Sequence, residues 1–291
     1  MAAPVFLPKI AQQFKNVLFA TDFSPGSLHA LPYVAGMAKT FGSTVHLCHI
    51  IAPTPLAAGA AAPRLYEATG QDVTEHLATL LHAPLLEGLN GKLVLAEGAI
   101  EEELLKVVRQ RNIDLVVAGT HGRTGWRKLL LGSVAEAMRR VTTCPILTVG
   151  PAQTFRDGVL FKRILFPTDL SRESKSILPY LTLLAEKYGS RVTVLHVLPK
   201  EAGINRDAKA LGEPVRKNMI QAFQADLALS GPEFIVESGD IVDTVLRVAQ
   251  EKNADLIAMG IRNAFVPGTH LRSSKAYGII AGAHCPVLTS R

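Results

Sequence analysis

The chain has 291 residues with a formal net charge of +6, and 48% of its residues are hydrophobic. This length is typical of two domains, each large enough to bury its own core. The positive charge is diffuse and only 6% of the residues are aromatic, which argues against a nucleic-acid-binding protein. Neither a bilayer-spanning apolar stretch nor an export signal is visible, so we expect a cytoplasmic protein without a membrane partner. The three cysteines predict buried thiols in a reducing compartment.

Apolar segments alternate with amphipathic ones along the chain, which predicts an α/β fold with parallel strands. Ser24 followed by Pro25 is typical of a helix start, and Gly42 is typical of a helix end. Residues 51–63, rich in alanine and proline, predict a loop or lid. In the first half we predict strands at 16–21, 44–50, 92–96, 114–118 and 145–149, and helices at 25–41, 72–88, 100–111 and 133–141.

The second half of the sequence repeats the first. Residues 15–22 (KNVLFATD) return 147 residues later as KRILFPTD, and residues 144–148 (CPILT) return 141 residues later as CPVLT. A period of this size indicates a duplicated domain. We therefore predict domains at 1–152 and 159–291, joined by a linker at 150–158. The strands of the second copy are predicted at 163–168, 191–197, 233–237, 255–259 and 286–289.

The order of the strands predicts where a ligand would bind. Right-handed crossovers from a central first strand give a five-stranded parallel sheet of order 3-2-1-4-5, with helices on both faces. Such a Rossmann-like sheet has a topological switch point between its first and fourth strands. Asp22 follows the first strand and Gly119 ends the fourth, so we expect both to flank one crevice.

The loop after the fourth strand has the pattern of a phosphate site. It reads Gly119-Thr-His-Gly122, then nine residues, then Gly132-Ser133 at the start of a predicted helix. Glycines allow phosphate oxygens to approach backbone N–H groups, and a helix start attracts anions. The alternative is a glycine-rich turn before a helix that Ser133 and Glu136 cap.

This glycine spacing, together with residues 20–24 (ATDFS), resembles the ATP-binding branch of the universal stress protein family. The resemblance covers nearly the whole chain as two tandem copies. It implies a nucleotide-dependent stress-response or signalling module that binds ATP or a related adenine nucleotide, with Mg²⁺ as a candidate companion ion and at most slow ATP hydrolysis. The implied contacts in the first copy are Ala20, Thr21, Asp22, Ile50, Gly119, Thr120, His121, Gly122, Arg123, Gly132, Ser133 and Val134.

Asp22 is the residue expected to accept hydrogen bonds from the adenine amino group or a ribose hydroxyl. On sequence alone, an Asx turn before Ser24 explains this aspartate equally well. His49 and His196 end the second strand of each copy, where we expect packed, hydrogen-bonded histidines.

The second copy departs from the glycine pattern. Asn263 and Ser273 replace the second and third glycines, while Ser274 keeps the final serine. An added Cβ costs room where the backbone would approach phosphate, so we expect weaker binding there. The corresponding positions are Pro167, Asp169, Val197, Gly260, Asn263, Ser273 and Ser274.

Two other functions stay open at this point. One is an enzyme that uses ATP for adenylation or phosphoryl transfer, although no general base or Walker-type motif is visible. The other is an interaction scaffold without nucleotide.

No metal-binding spacing of histidines and cysteines is present in the sequence. The last strand of each copy would be an open edge, so we expect these strands to pair within the chain as a pseudo-dimer. Homodimerisation of the whole chain and any protein partner stay undetermined.

Overall fold

The computed structural model describes residues 14–52, 70–119, 144–151, 153, 160–199, 208–223, 231–261 and 275–291. Within them, ten strands form one sheet in the order β3-β2-β1-β4-β5-β10-β9-β6-β7-β8. Each half therefore has the predicted order 3-2-1-4-5. The strands are β1 Asn16–Ala20, β2 Thr44–Ile51, β3 Asn90–Glu97, β4 Leu115–Gly119, β5 Ile146–Val149, β6 Arg163–Pro167, β7 Arg191–Pro199, β8 Glu233–Gly239, β9 Leu256–Gly260 and β10 Val287–Ser290.

The helices cover both faces of the sheet, as the core clusters on its two sides show. They are α1 Pro25–Leu28, α2 Leu31–Phe41, α3 Gly70–Leu81, α4 Ile100–Gln110, α5 Leu178–Tyr188, α6 Ala208–Phe223, α7 Ile241–Glu251 and α8 Lys275–Gly282, with 3-10 turns at Pro84–Leu86 and Ser174–Ile177. The predicted helix at 133–141 and most of the predicted lid at 51–63 lie outside the described residues. Ile51 itself belongs to β2.

Two predicted helices prove to be interrupted by proline. The segment 25–41 divides into α1 and α2 just before Pro32, and the segment 72–88 ends as α3 at Leu81 before the 3-10 turn that starts at Pro84. Proline lacks an N–H group and disfavours helical geometry in the residue before it. Accordingly, Ala83 is extended, with φ −61° and ψ 143°.

The predicted helix ends are confirmed. Ser24 is the N-cap of α1, where its hydroxyl oxygen accepts a hydrogen bond from the Ser27 N–H, and Pro25 begins the helix. Gly42 ends α2 with a left-handed backbone of φ 65°. Glycine adopts this conformation without the steric cost of a Cβ.

The two halves join through their last strands, as predicted for the open edges. Strand β5 lies antiparallel to β10, with Leu147 opposite Leu288. The Thr148 hydroxyl donates a hydrogen bond of 3.0 Å to the Val287 carbonyl across the junction. Pairing removes both edges from solvent, where each would present unpaired backbone groups.

Aromatic side chains of both copies pack into one cluster beneath this junction: Phe14, Tyr33, Phe41, Phe161, Tyr180 and Tyr188. Phe14 stacks on Tyr180 at 6.0 Å between ring centroids, and the repeat-related pair Phe161 and Tyr33 stacks at 6.4 Å. This stack thus occurs twice with the copies exchanged, and the repeat-related residues Phe41 and Tyr188 contact each other, as expected at a two-fold interface. One buried core consequently runs through both copies.

The linker is fixed at one described residue. Gln153 is buried, and its Nε2 donates a hydrogen bond of 2.7 Å to the carbonyl of Cys285 in the second copy. A side-chain amide held in this way ties the linker to the strand junction.

His46 in β2 is a buried base without a second hydrogen-bond partner. Its Nε2 lies 3.2 Å from Asn16 Oδ1, while the Asn16 amide nitrogen donates to the Asn112 carbonyl. The Asn16 oxygen must therefore accept from the His46 Nε2–H, which leaves the lone pair on Nδ1. That atom is buried and has no partner among the described residues. Burial, Lys92 and Arg111 all lower the pKa of His46.

The isolated first copy, residues 1–152, is expected to dimerise. Without the second copy, it exposes the β5 edge and the apolar faces of Phe14, Tyr33 and Phe41, which another first copy can cover in the same way. Sedimentation velocity of this fragment beside the full chain would measure the association. A fragment that stays a folded monomer across the micromolar range would contradict the prediction.

His46 is expected to make the fold less stable in acid. Because its pKa is lower in the folded chain than in the unfolded chain, its contribution to stability is complete above the unfolded value and is lost as the pH falls below it. The repeat-related residue is Thr193. Urea unfolding at pH 8 and pH 5 should show a smaller loss of stability for His46→Thr than for the unchanged chain. Equal losses would show that His46 does not titrate in this way.

Candidate functional site

The structure brings the turn after β1 beside the end of β4. These two strands are parallel neighbours, with Ala20 opposite Ala118. Their carboxyl ends therefore lie at the same edge of the sheet, where the strand order reverses. This arrangement confirms the predicted switch point, which is where ligands bind in open α/β sheets.

Asp22 forms the Asx turn that was one of its two predicted roles. Its Oδ1 accepts hydrogen bonds from the Ser24 N–H at 3.0 Å and from the Ser24 hydroxyl at 2.6 Å. Between them, Phe23 has a φ of 60°, a conformation that a bulky residue rarely adopts. The turn fixes the direction of the carboxylate.

The Thr21 side chain lies inside the turn rather than on its surface. It is only 5% exposed, and its Oγ1 lies 2.9 Å from the Ser27 hydroxyl and 3.0 Å from the Phe23 nitrogen. These contacts give the hydroxyl a structural role. A direct contact of Thr21 with nucleotide stays a prediction.

The predicted apolar positions of the first copy share one face of the sheet. Ala20 and Ile50 both pack in the cluster that includes Cys48 of β2 and Ile100 of α4. Burial raises the pKa of the Cys48 thiol to about 12, so this thiol stays protonated and unreactive at neutral pH. Ala20 is buried in this cluster and Ile50 is partly buried, so the contact of either residue with a base stays a prediction.

Gly119 has a structural reason that the sequence did not indicate, while its predicted contact with phosphate stays a prediction. A Cβ on this residue would lie 2.7 Å from the Ser27 Cα and closer still to the Gly26 carbonyl oxygen. The missing side chain thus makes room for the backbone of α1. Gly260 of the second copy meets Ser174 Cα at the same 2.7 Å. Glycine is required at both positions by backbone packing alone.

His49 is hydrogen-bonded and packed, as expected. Its Nδ1–H donates to the Thr21 carbonyl at 2.8 Å, and its ring centroid lies 4.9 Å from that of Phe23. His76 of α3 lies on the same phenyl ring at 5.7 Å. The sequence analysis assigned no separate role to Phe23, Ser27 or His76. His76 could not be found from the sequence, because no spacing rule links α3 to the turn after β1.

The second copy builds the same turn. Asp169 Oδ1 accepts from the Ser171 N–H at 3.0 Å, and Leu170 has a φ of 63°. The Thr168 hydroxyl lies 2.8 Å from that of Ser174, and the His196 Nδ1–H donates to the Thr168 carbonyl at 2.8 Å. Pro167 ends β6 next to this turn, and Val197 is buried in β7.

The remaining predicted contacts lie outside the described residues: Thr120, His121, Gly122, Arg123, Gly132, Ser133 and Val134 in the first copy, and Asn263, Ser273 and Ser274 in the second. Within the described ranges, no three His, Cys, Asp or Glu side chains come together as they would around a metal ion. None of the helices described is both long and apolar enough to cross a membrane.

The universal stress protein family model matches residues 13–150 and again residues 160–291. The chain belongs to the universal stress protein family. Universal stress protein A homolog 1 from Coxiella burnetii is 30% identical over 141 residues, which are 47% of this chain and 96% of that protein.

Solved universal stress proteins have the same fold. One from Archaeoglobus fulgidus aligns over 96% of this chain and 99% of its own, with a TM-score of 0.70 at 23% identity. A universal stress protein in complex with cAMP aligns over 45% of this chain and 98% of its own, with a TM-score of 0.37 at 17% identity.

Alanine at Gly119 or Gly260 is expected to destabilise the fold by about 1–3 kcal/mol, because the added Cβ overlaps the backbone that packs against it. Gly212→Ala is the matched control, since a Cβ there meets nothing within 4 Å. Urea unfolding without any ligand would measure all three changes. If Gly119→Ala unfolds like the unchanged chain, phosphate approach becomes the better explanation for this glycine.

Proposed function

We propose that this universal stress protein binds ATP in its first copy and acts as a nucleotide-dependent stress-response or signalling module. One observation carries the proposal: helix α1, which follows the Asp22 turn, packs against Gly119 at the switch point. The proposed adenosine contacts thus lie next to the start of the predicted phosphate loop. Switch points of this kind are where open α/β sheets hold nucleotides.

The described residues fit the adenosine half of the ligand. Ala20 and Ile50 offer an apolar surface for the base, and Asp22 offers an oriented acceptor for an amino or hydroxyl group. A small apolar surface with one directed polar group is the usual composition of such a pocket. These three residues would hold the adenosine.

The phosphates would be held by backbone N–H groups of Gly122, Gly132 and Ser133, with Arg123 adding positive charge. Bound ATP would supply a triphosphate whose charge Mg²⁺ can share. We propose the domain division at 1–152 and 159–291, with 150–158 as the linker, so that one site belongs wholly to each domain.

The second site is proposed to be weaker. Its turn matches that of the first copy, but Asn263 and Ser273 stand where the first copy has glycines. Each side chain takes space that close approach of phosphate to the backbone requires. The difference between the copies therefore lies on the phosphate side.

Slow ATP hydrolysis is the most chemistry that we propose. Among the described residues, no observation favours an adenylating or phosphoryl-transfer enzyme, and none favours a scaffold that works without nucleotide.

Equilibrium dialysis with ATP is expected to give one tight site per chain. Asp22→Asn should weaken that site about tenfold or more: if the amide oxygen keeps accepting from Ser24, the amide nitrogen replaces the second carboxylate oxygen and cannot accept a hydrogen bond from the ligand. Asp169→Asn is the matched control and should leave the tight site unchanged.

The outcomes separate the parts of this proposal. No retained ATP would show that the proposed function is wrong. Two sites of equal affinity would show that the asymmetry is wrong. If Asp22→Asn and Asp169→Asn weaken ATP binding equally, the assignment of the tight site to the first copy is wrong.

A further inference from the structure

The turn after β1 is held by a network of hydrogen bonds between buried hydroxyl groups and the backbone. We call Thr21, Ser24 and Ser27 the turn clamp. All three are nearly inaccessible to solvent. The Ser27 hydroxyl lies 3.0 Å from the Ser24 carbonyl, which can only accept, so Ser27 donates to it. Thr21 must then donate to Ser27, and the Thr21 oxygen accepts from the Phe23 N–H.

A second path in the clamp leads to the Asp22 carboxylate. The Ser27 N–H donates to the Ser24 hydroxyl oxygen at 3.2 Å, and the Ser24 hydroxyl donates to Asp22 Oδ1 at 2.6 Å. A continuous chain of contacts thus runs from Thr21 through Ser27 and Ser24 to Asp22. Because the chain is buried, loss of one hydroxyl leaves its partners unsatisfied.

The clamp also touches the other side of the site. The Cα of Ser27 and the carbonyl of Gly26 fill the space where Gly119 lacks a Cβ. Gly119 is the last residue of β4, from which the predicted phosphate loop leaves. One small structure therefore sets both the direction of Asp22 and the position at which that loop begins.

The clamp holds a conformation that the local sequence does not favour. Phe23 has a φ of 60°, in the left-handed region that is sterically unfavourable for a bulky residue. Such a conformation persists where surrounding contacts determine it. Without the clamp, the backbone at Phe23 is free to relax and to turn the carboxylate away.

We propose that Thr21 and Ser27 are positioning residues for nucleotide binding, acting through Asp22 and without touching the ligand. This inference rests on the proposed function and adds to it. It assigns the buried Thr21 hydroxyl to holding Asp22, in place of the direct nucleotide contact that the resemblance implies.

The duplicated chain supplies a matched control. Thr168 and Ser174 form the same pair at 2.8 Å, and the Leu170 N–H donates to the Thr168 hydroxyl oxygen at 3.0 Å. Thr21→Val and Thr168→Val remove one buried hydroxyl each from equivalent clamps. Both should lower Tm by similar amounts, but only Thr21→Val should weaken the tight ATP site, by about tenfold.

The decisive measurement is ATP titration calorimetry on four full-length chains: unchanged, Thr21→Val, Asp22→Asn and the double variant. If Thr21 acts through Asp22, Thr21→Val should weaken ATP binding when it is the only substitution. When Asp22→Asn is already present, adding Thr21→Val should weaken ATP binding little further. Thr21→Ser keeps the hydroxyl and should bind ATP like the unchanged chain.

Three outcomes would overturn the inference. One is unchanged ATP affinity in a folded Thr21→Val chain. The second is additive weakening in the double variant, and the third is equal weakening by Thr168→Val. If the unchanged chain binds ATP, these outcomes leave the proposed function intact, whereas an unchanged chain that binds no ATP defeats both. Should Thr21→Val fail to fold, Ser27→Ala with Ser174→Ala as its control makes the same comparison.

Discussion

The antiparallel pairing of β5 with β10 is the constraint on which the rest of this molecule depends. Within each half the strands are parallel, so all five carboxyl ends meet at one edge. Because β5 and β10 run in opposite directions, the two halves place those ends at opposite edges of the shared sheet. The described residues of each candidate site therefore come from one copy, while the shared core is built by both copies.

The topology could be predicted from the sequence because it follows from rules that act locally. The alternation of apolar segments gave the strands, and right-handed crossovers gave their order. The breaks before Pro32 and Pro84 follow from the chemistry of proline and were open to prediction. The pairing of β5 with β10 could also be predicted, because the last strand of each copy would otherwise leave unpaired backbone N–H and C=O groups at a sheet edge.

The roles of individual site residues were harder to predict, because one residue type serves two physical purposes. A glycine at the end of β4 fits close approach by a phosphate and close approach by a backbone equally well. The packing of Gly26 and Ser27, more than ninety positions earlier in the chain, shows the second purpose for Gly119 and leaves the first as a prediction. Similarly, the sequence around Asp22 fits both an Asx turn and a ligand contact. The Asx turn that Asp22 forms does not exclude a ligand contact.

The two copies together separate folding from binding. Several positions that both copies keep pack or form hydrogen bonds in the structure: the turn threonine, its serine partner, the histidine near the end of the second strand, and the first motif glycine. The positions that differ, Gly122 against Asn263 and Gly132 against Ser273, lie outside the described residues. In a homodimer, one substitution would change both sites at once. Because the two halves here are coded separately, one copy can lose the glycines proposed to bind phosphate while its turn and its share of the common core stay intact.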